Sequence, residues 1–419
     1  MTIAKIHQIF LAQKQNFTTD TRKIKDGSIF FALKGERFNG NTFAQKAIEL
    51  GARYVVIDEK EHSIPNKTIL VENVLKCLQS LATFHRNYLN IPILSLTGSN
   101  GKTTTKELIR EVLSTQHNVC ATVGNLNNHI GVPLTLLSMT AQTEIGVVEM
   151  GANHQKEIDF LCKIAQPNYA FITNFGKAHI EGFGSEEGIV KGKSEMYDYI
   201  HHTNGIAFVN QQESKMVEKS AKCNCVYINP SESPLIDINP FVKLQYQNQN
   251  IQSQLIGKYN YNNIIAAISI GEYFKISEEN IQKSIENYTP NNNRSQIIQK
   301  QNTQIILDAY NANPTSMEAA LENLTTLKSP KKAVILGDMF ELGESASAEH
   351  LNLIQKTLAN EYHTTIFVGE NFYKHKTEQA CFFKSFDELK KHFNFDFSQS
   401  TLLIKGSRGM ALERILELI

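Results

Sequence analysis

Ile93-Leu94-Ser95-Leu96-Thr97-Gly98-Ser99-Asn100-Gly101-Lys102-Thr103-Thr104 is the stretch whose reading decides the fold. A run of buried-strand type meets two glycines, a lysine and two threonines. Apolar residues then recur at Leu108, Ile109, Val112 and Leu113 with helical spacing. Strand, glycine-rich loop and helix in that order form a phosphate cradle. The glycines let backbone N–H groups turn inward around phosphate oxygens, and the helix N-terminus adds favourable partial charge. Lys102 has the reach for β and γ phosphates, and the Thr103 hydroxyl suits the shell of a Mg²⁺ ion. Gly98, Ser99, Asn100, Gly101, Lys102, Thr103 and Thr104 are therefore the candidate contacts of a nucleotide. The usual pattern carries a further glycine where Leu96 stands, so the loop has the shortened form G-x-x-G-K-T. Such a loop implies ATP but names no reaction, because kinases, switch GTPases, motors and ligases all use one.

The surrounding chain has 419 residues, the length of about two to four domains. Acidic and basic side chains balance at 42 each, so nothing pulls the whole molecule toward nucleic acid or an anionic membrane. The beginning lacks the apolar core of a secretion signal and no apolar run is long enough to span a bilayer, so a cytoplasmic location is expected. The six cysteines (Cys77, Cys120, Cys162, Cys223, Cys225 and Cys381) are scattered without metal-site spacing and are expected to be reduced packing residues.

Three regions follow one another without repeats. Residues 1–90 alternate short apolar strands (Ile29 to Leu33, Tyr54 to Ile57, Ile69 to Val71) with helices at Phe43 to Leu50 and Asn73 to Tyr88. Residues 91–290 hold the phosphate loop and further strands at 145–149, 169–173 and 205–209, the pattern of a mostly parallel sheet with crossover helices. The polar stretch from Asn229 to Asn250 reads as a connection or surface hairpin outside the core. Pro290-Asn291-Asn292-Asn293 is turn-rich and marks a boundary. Residues 291–419 alternate strands at 304–308, 332–336, 365–368 and 401–404 with helices near 315–327, 346–360, 386–393 and 409–418, a second, Rossmann-like α/β unit.

From the loop onward the chain resembles the Mur ligase family, ATP-dependent amide-forming ligases of peptidoglycan synthesis. The resemblance rests on the shortened loop after Thr97, the Asn-rich run Asn125-Leu126-Asn127-Asn128-His129, the strand end Glu149-Met150-Gly151-Ala152-Asn153-His154, and Asn174-Phe175-Gly176-Lys177-Ala178-His179. Glu181-Gly182-Phe183-Gly184-Ser185, Asp308-Ala309-Tyr310-Asn311-Ala312-Asn313-Pro314, Gly337-Asp338-Met339-Phe340-Glu341-Leu342-Gly343 and Lys405-Gly406-Ser407-Arg408-Gly409-Met410 are similar to the branch that adds D-alanyl-D-alanine to UDP-N-acetylmuramoyl-tripeptide. The Asp-Asn-Pro-Arg stretch typical of the sibling that adds the third residue is missing. Other readings kept beside this one are that sibling, a folylpolyglutamate-type ligase, and a nucleotide-dependent regulator or small-molecule kinase.

The resemblance implies three α/β domains: a UDP-sugar domain (1–90), a central P-loop ATPase domain (91–290) and a Rossmann-like domain that takes the incoming dipeptide (291–419). It implies ATP and two Mg²⁺ ions. Lys102, His179, Lys193 and Arg294 are then the catalytic candidates, and Thr103, Glu149, His179 and Lys193 the metal-binding ones. Lys193 matches a lysine that is carbamylated in several members. Asn260 and Asn263 match adenine contacts, whose amides suit its edge, although Tyr259 stands where a histidine is common. Arg294 and Asp308 match residues near the γ-phosphate and ribose. Thr21, Arg22 and Ser28 fall to the UDP-sugar, Asn127 and Asn128 to the muropeptide, and Asn311, Asn313, Lys405, Ser407 and Arg408 to the dipeptide end. A monomer that closes on its substrates is expected.

Overall fold

The computed structural model describes residues 1–290 and 293–419 and consists of three α/β units, each built on its own sheet. The boundary expected at Asn291 and Asn292 lies outside the described residues. The first unit has four parallel strands in the order Phe17–Thr18, Ile29–Phe31, Tyr54–Ile57 and Thr68–Leu70. The helix expected at Phe43 to Leu50 is present as Ala44–Glu49, capped by those two residues, and a 3-10 turn, Gly40–Phe43, leads into it. Helix Val74–Leu89 starts on the Asn73 side chain, which accepts from Lys76 N, and stops where Asn90 takes a left-handed conformation.

That helix belongs to two units at once. Helix Ile3–Ala12 packs on one side of it, and helices Gly131–Leu137 and Glu157–Ala165 pack on the other. Ile6, Phe10, Leu78, Leu81, Val132, Leu136 and Leu161 consequently share a single apolar core. A chain of polar contacts runs along the same junction: His7 Nε2 to His85 Nδ1 at 2.9 Å, and His85 Nε2 to Met139 O at 2.8 Å. Burial lowers the pKa of both imidazoles, which favours their neutral forms.

The central sheet is all parallel and six-stranded. Its order is Asn224–Ile228, Ile206–Asn210, Tyr169–Ile172, Ile93–Thr97, Ile145–Glu149 and Val119–Ala121. The chain enters at the middle strand, Ile93–Thr97, travels to one edge, returns through Ile145–Glu149, and then crosses to the other side. The first strand is thus the topological switch point, where a crevice opens beyond the carboxyl ends of the strands. The register sets Thr97 opposite Ile172 and Leu96 opposite Glu149, so three strand ends meet at one place.

The polar stretch expected to lie outside the core contributes to it. Leu235–Asp237, Phe241–Tyr246 and Gln249–Ile256 form an antiparallel sheet. Val242, Leu244, Tyr246 and Ile251 point into the core that covers helix Lys258–Tyr273. The strand alternates in and out, and its polar outer residues (Lys243, Gln245) mask the inner row.

The third sheet runs Gln296–Lys300, Thr303–Asp308, Thr401–Lys405, Lys332–Gly337, Thr364–Val368 and Cys381–Phe383, with only the first strand antiparallel. The helix expected at 409–418 is not α-helical. Two 3-10 turns, Arg408–Met410 and Leu412–Glu417, flank Ala411, whose positive φ of 47° interrupts any continuous helix. All six cysteines are free thiols. Among the described residues no helix is long and apolar enough to cross a membrane.

Leu244 is fully buried and its neighbour Gln245 is exposed. Leu244→Ala should destabilise the central unit by about 2–5 kcal/mol. Gln245→Ala should stay within about 0.5 kcal/mol of the parent. Denaturant unfolding followed by circular dichroism separates the two; equal effects would remove this sheet from the core.

Candidate functional site

The loop after Ile93–Thr97 carries the first set of side chains. Helix Lys102–Leu113 begins at Gly101, which sits at φ +80°, and Gly98 lies at φ +144°. Both angles are costly for a residue with a Cβ. A Cβ on Gly101 would also fall 2.6 Å from Asn263 Oδ1. The loop is held from the neighbouring strand: Thr173 Oγ1 and Asn174 Nδ2 both donate to Asn100 O, at 2.6 and 3.0 Å, and Ser99 Oγ donates to Gly176 O at 2.6 Å. Thr173 and Asn174 had no place among the candidate residues. Their position just past a strand neighbouring the loop strand is what reveals them.

Lys102 folds back over its own loop and donates to Gly98 O at 2.7 Å and Ser99 O at 3.1 Å. Desolvation pushes its pKa down to about 8; Glu149 opposes the shift and Arg294 adds to it. Thr103 donates to Glu149 Oε2 at 2.9 Å, and Asn127 Nδ2 donates to Glu149 Oε1 at 2.8 Å. Glu149 is 1% exposed, and its backbone N–H donates to Thr122 Oγ1 at 3.0 Å. The buried carboxylate and the loop threonine hydroxyl supply adjacent oxygen atoms, the ligand type that Mg²⁺ selects. Thr104 is buried in the first turn of the helix, and Asn128 caps Gly131 at 2.9 Å beside Asn127.

Lys193 projects from helix Glu186–His202 and is fully buried, and its Nζ has no hydrogen-bond partner. That ammonium lies over the Phe183 ring, 5.3 Å from its centroid. Burial drives its pKa well below the ordinary lysine value, and the charge on Lys102 adds to this. Lone buried amines of this sort cluster at functional sites.

Helix Lys258–Tyr273 packs against the loop helix and brings in the two asparagines. Asn260 Nδ2 donates to Ile256 O at 2.8 Å, Asn263 Nδ2 donates to Asn260 Oδ1 at 2.8 Å, and Thr105 Oγ1 donates to Asn263 Oδ1 at 3.1 Å. Both amides therefore brace the loop helix as well as standing beside it. Tyr259 donates to or accepts from Ser295 Oγ at 2.8 Å.

The third unit reaches the same place. Asn313, the N-cap of helix Pro314–Thr326, donates through Nδ2 to Asn100 Oδ1 at 2.8 Å. Thr315 Oγ1 accepts from Lys177 N at 3.0 Å, and Lys177 Nζ lies 3.5 Å from Glu349. His179, also at positive φ (56°), meets Glu341 through Nδ1. Arg294 stacks on Tyr310 at 3.7 Å, and its Nε is buried without a partner. Its charge reaches Lys102 strongly enough to affect that amine.

Other candidates lie in separate surroundings. Lys405 is 2% exposed and engaged with Asp308 Oδ2 at 2.6 Å and Asn311 O at 3.1 Å, so it is no free cation in this arrangement. Asn311 accepts from Ala312 N, Ser407 Oγ accepts from Phe340 N at 3.0 Å, and Arg408 pairs with Glu413 at 2.8 Å. In the first unit, Arg22 grips Asp20 through two nitrogens and holds that carboxyl at about 2. Thr21 begins the adjoining turn, and Ser28 is buried with an unpartnered hydroxyl.

Comparison with known proteins shows what the chain is similar to. Three family models cover the chain in turn: the Mur ligase family catalytic domain over residues 15–86, the Mur ligase middle domain over 96–271, and the Mur ligase glutamate ligase domain over 293–408. A relative from Bacillus subtilis (strain 168), named UDP-N-acetylmuramoyl-tripeptide–D-alanyl-D-alanine ligase, is 34% identical over 95% of this chain and 92% of its own. A crystal structure of MurF from Acinetobacter baumannii superposes with a TM-score of 0.84 at 29% identity, covering 98% of this chain and 97% of the other. A MurF ligase from Thermotoga maritima in complex with ADP gives 0.85 at 25% identity, with 97% of each chain covered.

Lys102 carries its charge below about pH 8. Raising the pH through that value should weaken ADP binding to the wild type, and Lys102→Gln should remove this dependence while lowering affinity throughout. The sign for folding is opposite. The pKa is depressed in the folded state, so unfolding takes up a proton between about pH 8 and the unfolded value near 10.5, and stability rises with pH across that window. Calorimetric titration with ADP from pH 6.5 to 9.5 checks the first statement; identical slopes in both proteins would refute it.

Proposed function

The chain belongs to the Mur ligase family, and from that premise we propose that it joins D-alanyl-D-alanine to the terminal carboxylate of UDP-N-acetylmuramoyl-tripeptide. ATP becomes ADP and phosphate in this cytoplasmic step of peptidoglycan synthesis, carried out by a monomer that closes on its substrates. The observation that carries the reading is the convergence of all three strand ends and the third unit on the Gly98–Thr104 loop. Residues 1–90 would hold the UDP-sugar through Thr21, Arg22 and Ser28, residues 91–290 the ATP, and residues 291–419 the dipeptide.

The tripeptide carboxylate attacks the γ-phosphorus, giving an acyl phosphate and ADP. The dipeptide amine then attacks the acyl carbon, loses a proton, and phosphate departs. The first step brings an anion to an anion, so positioned positive charge matters more than a strong base. Lys102 and Arg294 supply that charge from opposite sides of the cleft, one on the loop and one on the third unit. Asn260 and Asn263 would bound the adenine, Asp308 the ribose, Asn127 and Asn128 the muropeptide, and Asn311, Asn313, Ser407 and Arg408 the dipeptide end, with Lys405 joining them only when released from Asp308.

Thr103, Glu149, His179 and Lys193 would hold Mg²⁺, and the ion when bound neutralises the phosphate charge. Thr103 and Glu149, which already meet, and Lys193, an unpartnered buried amine, support this reading; His179 enters it on the family resemblance. Burial favours the neutral form of that amine, and a neutral amine can add CO₂ to give a carbamate and a proton. The carbamate is an oxygen donor, and its negative charge suits the neighbourhood of Lys102.

ADP release assayed with UDP-N-acetylmuramoyl-tripeptide should require D-alanyl-D-alanine, and hydroxylamine in its place should trap a hydroxamate. Turnover indifferent to the dipeptide would overturn the assignment. Lys193→Ala should lower kcat at least about a hundredfold, and the wild-type protein should gain the mass of one CO₂ in bicarbonate. Full activity of the variant would refute the carbamate.

A further inference from the structure

The contact between His179 and Glu341 joins two units at residues that both take a left-handed backbone conformation. His179 follows the strand Tyr169–Ile172 and sits at φ 56°; Glu341 follows Lys332–Gly337 and sits at φ 62°. Non-glycine residues hold such angles only where their surroundings insist on it. Two further contacts join the same segments. Glu181 N donates to Glu341 O at 3.3 Å, and Gly343, just beyond, packs against the Glu181 side chain. The Glu341 carboxylate lies beside His179 Nδ1 as an ion-pair contact, outside hydrogen-bonding alignment in this arrangement.

We propose that Glu341 is a positioning residue for His179, delivered by the third unit when it closes on the central one. A carboxylate on Nδ1 draws the imidazole proton to that nitrogen and leaves the lone pair on Nε2, the form in which a histidine ligates a metal. The metal site is thereby complete only in the closed arrangement, which couples dipeptide-side closure to phosphoryl transfer. This inference rests on the reading of His179 as a metal-binding residue.

A cross-domain ion pair that does not touch His179 provides the control. Lys177 faces Glu349 across the same junction, so Glu349→Gln loosens closure and leaves His179 alone. Mn²⁺ serves as the probe, titrated by its EPR signal into the full chain with a non-hydrolysable ATP analogue and UDP-N-acetylmuramoyl-tripeptide. Glu341→Ala should weaken the lower-affinity Mn²⁺ about 10–100-fold. Glu341→Gln, which keeps an oxygen acceptor, should recover part of the loss, and Glu349→Gln should change it little. His179→Ala should match or exceed Glu341→Ala. Unchanged Mn²⁺ binding in Glu341→Ala, or an equal loss in Glu349→Gln, would overturn the positioning role while leaving the ligase assignment intact. Unchanged binding in His179→Ala would overturn both the positioning role and the metal reading of that histidine. Thermal unfolding of each variant shows that the fold is retained.

Discussion

Two hydrogen bonds on one carbonyl oxygen organise the site. Asn100 O receives both Thr173 Oγ1 and Asn174 Nδ2, and this holds the phosphate loop in shape before any phosphate arrives. The cost of ordering a glycine-containing loop is met during folding and not during binding. Everything else is placed relative to that loop. Lys102 rests on its carbonyls, Glu149 stands one strand over, Asn263 fills the space that Gly101 leaves, and Asn313 docks on the Asn100 side chain. The parallel sheet makes this possible because its switch point brings adjacent strand ends together while their connections depart in opposite directions.

The two outer units are attached to this centre by different physics. The first shares an apolar core with it through helix Val74–Leu89. The third touches it through polar contacts from Asn313, Thr315, Glu341 and Glu349 and through apolar contacts with Ile180, Phe241 and Ile256. Apolar burial is non-directional and difficult to undo in part, whereas polar contacts exchange readily with water. The first attachment is thus fixed, and the second is suited to opening and closing.

Much of this is legible in the residues. The loop strand Ile93–Thr97 and its neighbour Ile145–Glu149 announce themselves as short apolar runs with polar side chains at their ends. The meander at 235–256 was hidden because its outward residues are polar and its inner row is read only by alternation. The final segment looks helical by periodicity, yet Ala411 takes a left-handed turn there, a tertiary choice that local pattern does not encode. Long-range pairings were the least visible. Glu341 lies within a recognisable motif, but nothing in its neighbours tells that it meets His179, and the engagement of Lys405 by Asp308 needs two adjacent strands to be laid side by side.

The shared helix Val74–Leu89 gives the molecule a ruler. It bonds the strand unit bearing Arg22 and Ser28 to the centre bearing Glu149 through one continuous core, so the separation between those two ends is a constant of the fold. On the proposed reading, a substrate held at its nucleotide end by the first unit would present its far carboxylate to the phosphate loop only if the intervening peptide had the right reach. Length discrimination of this kind would need no side-chain pocket for the residues in between.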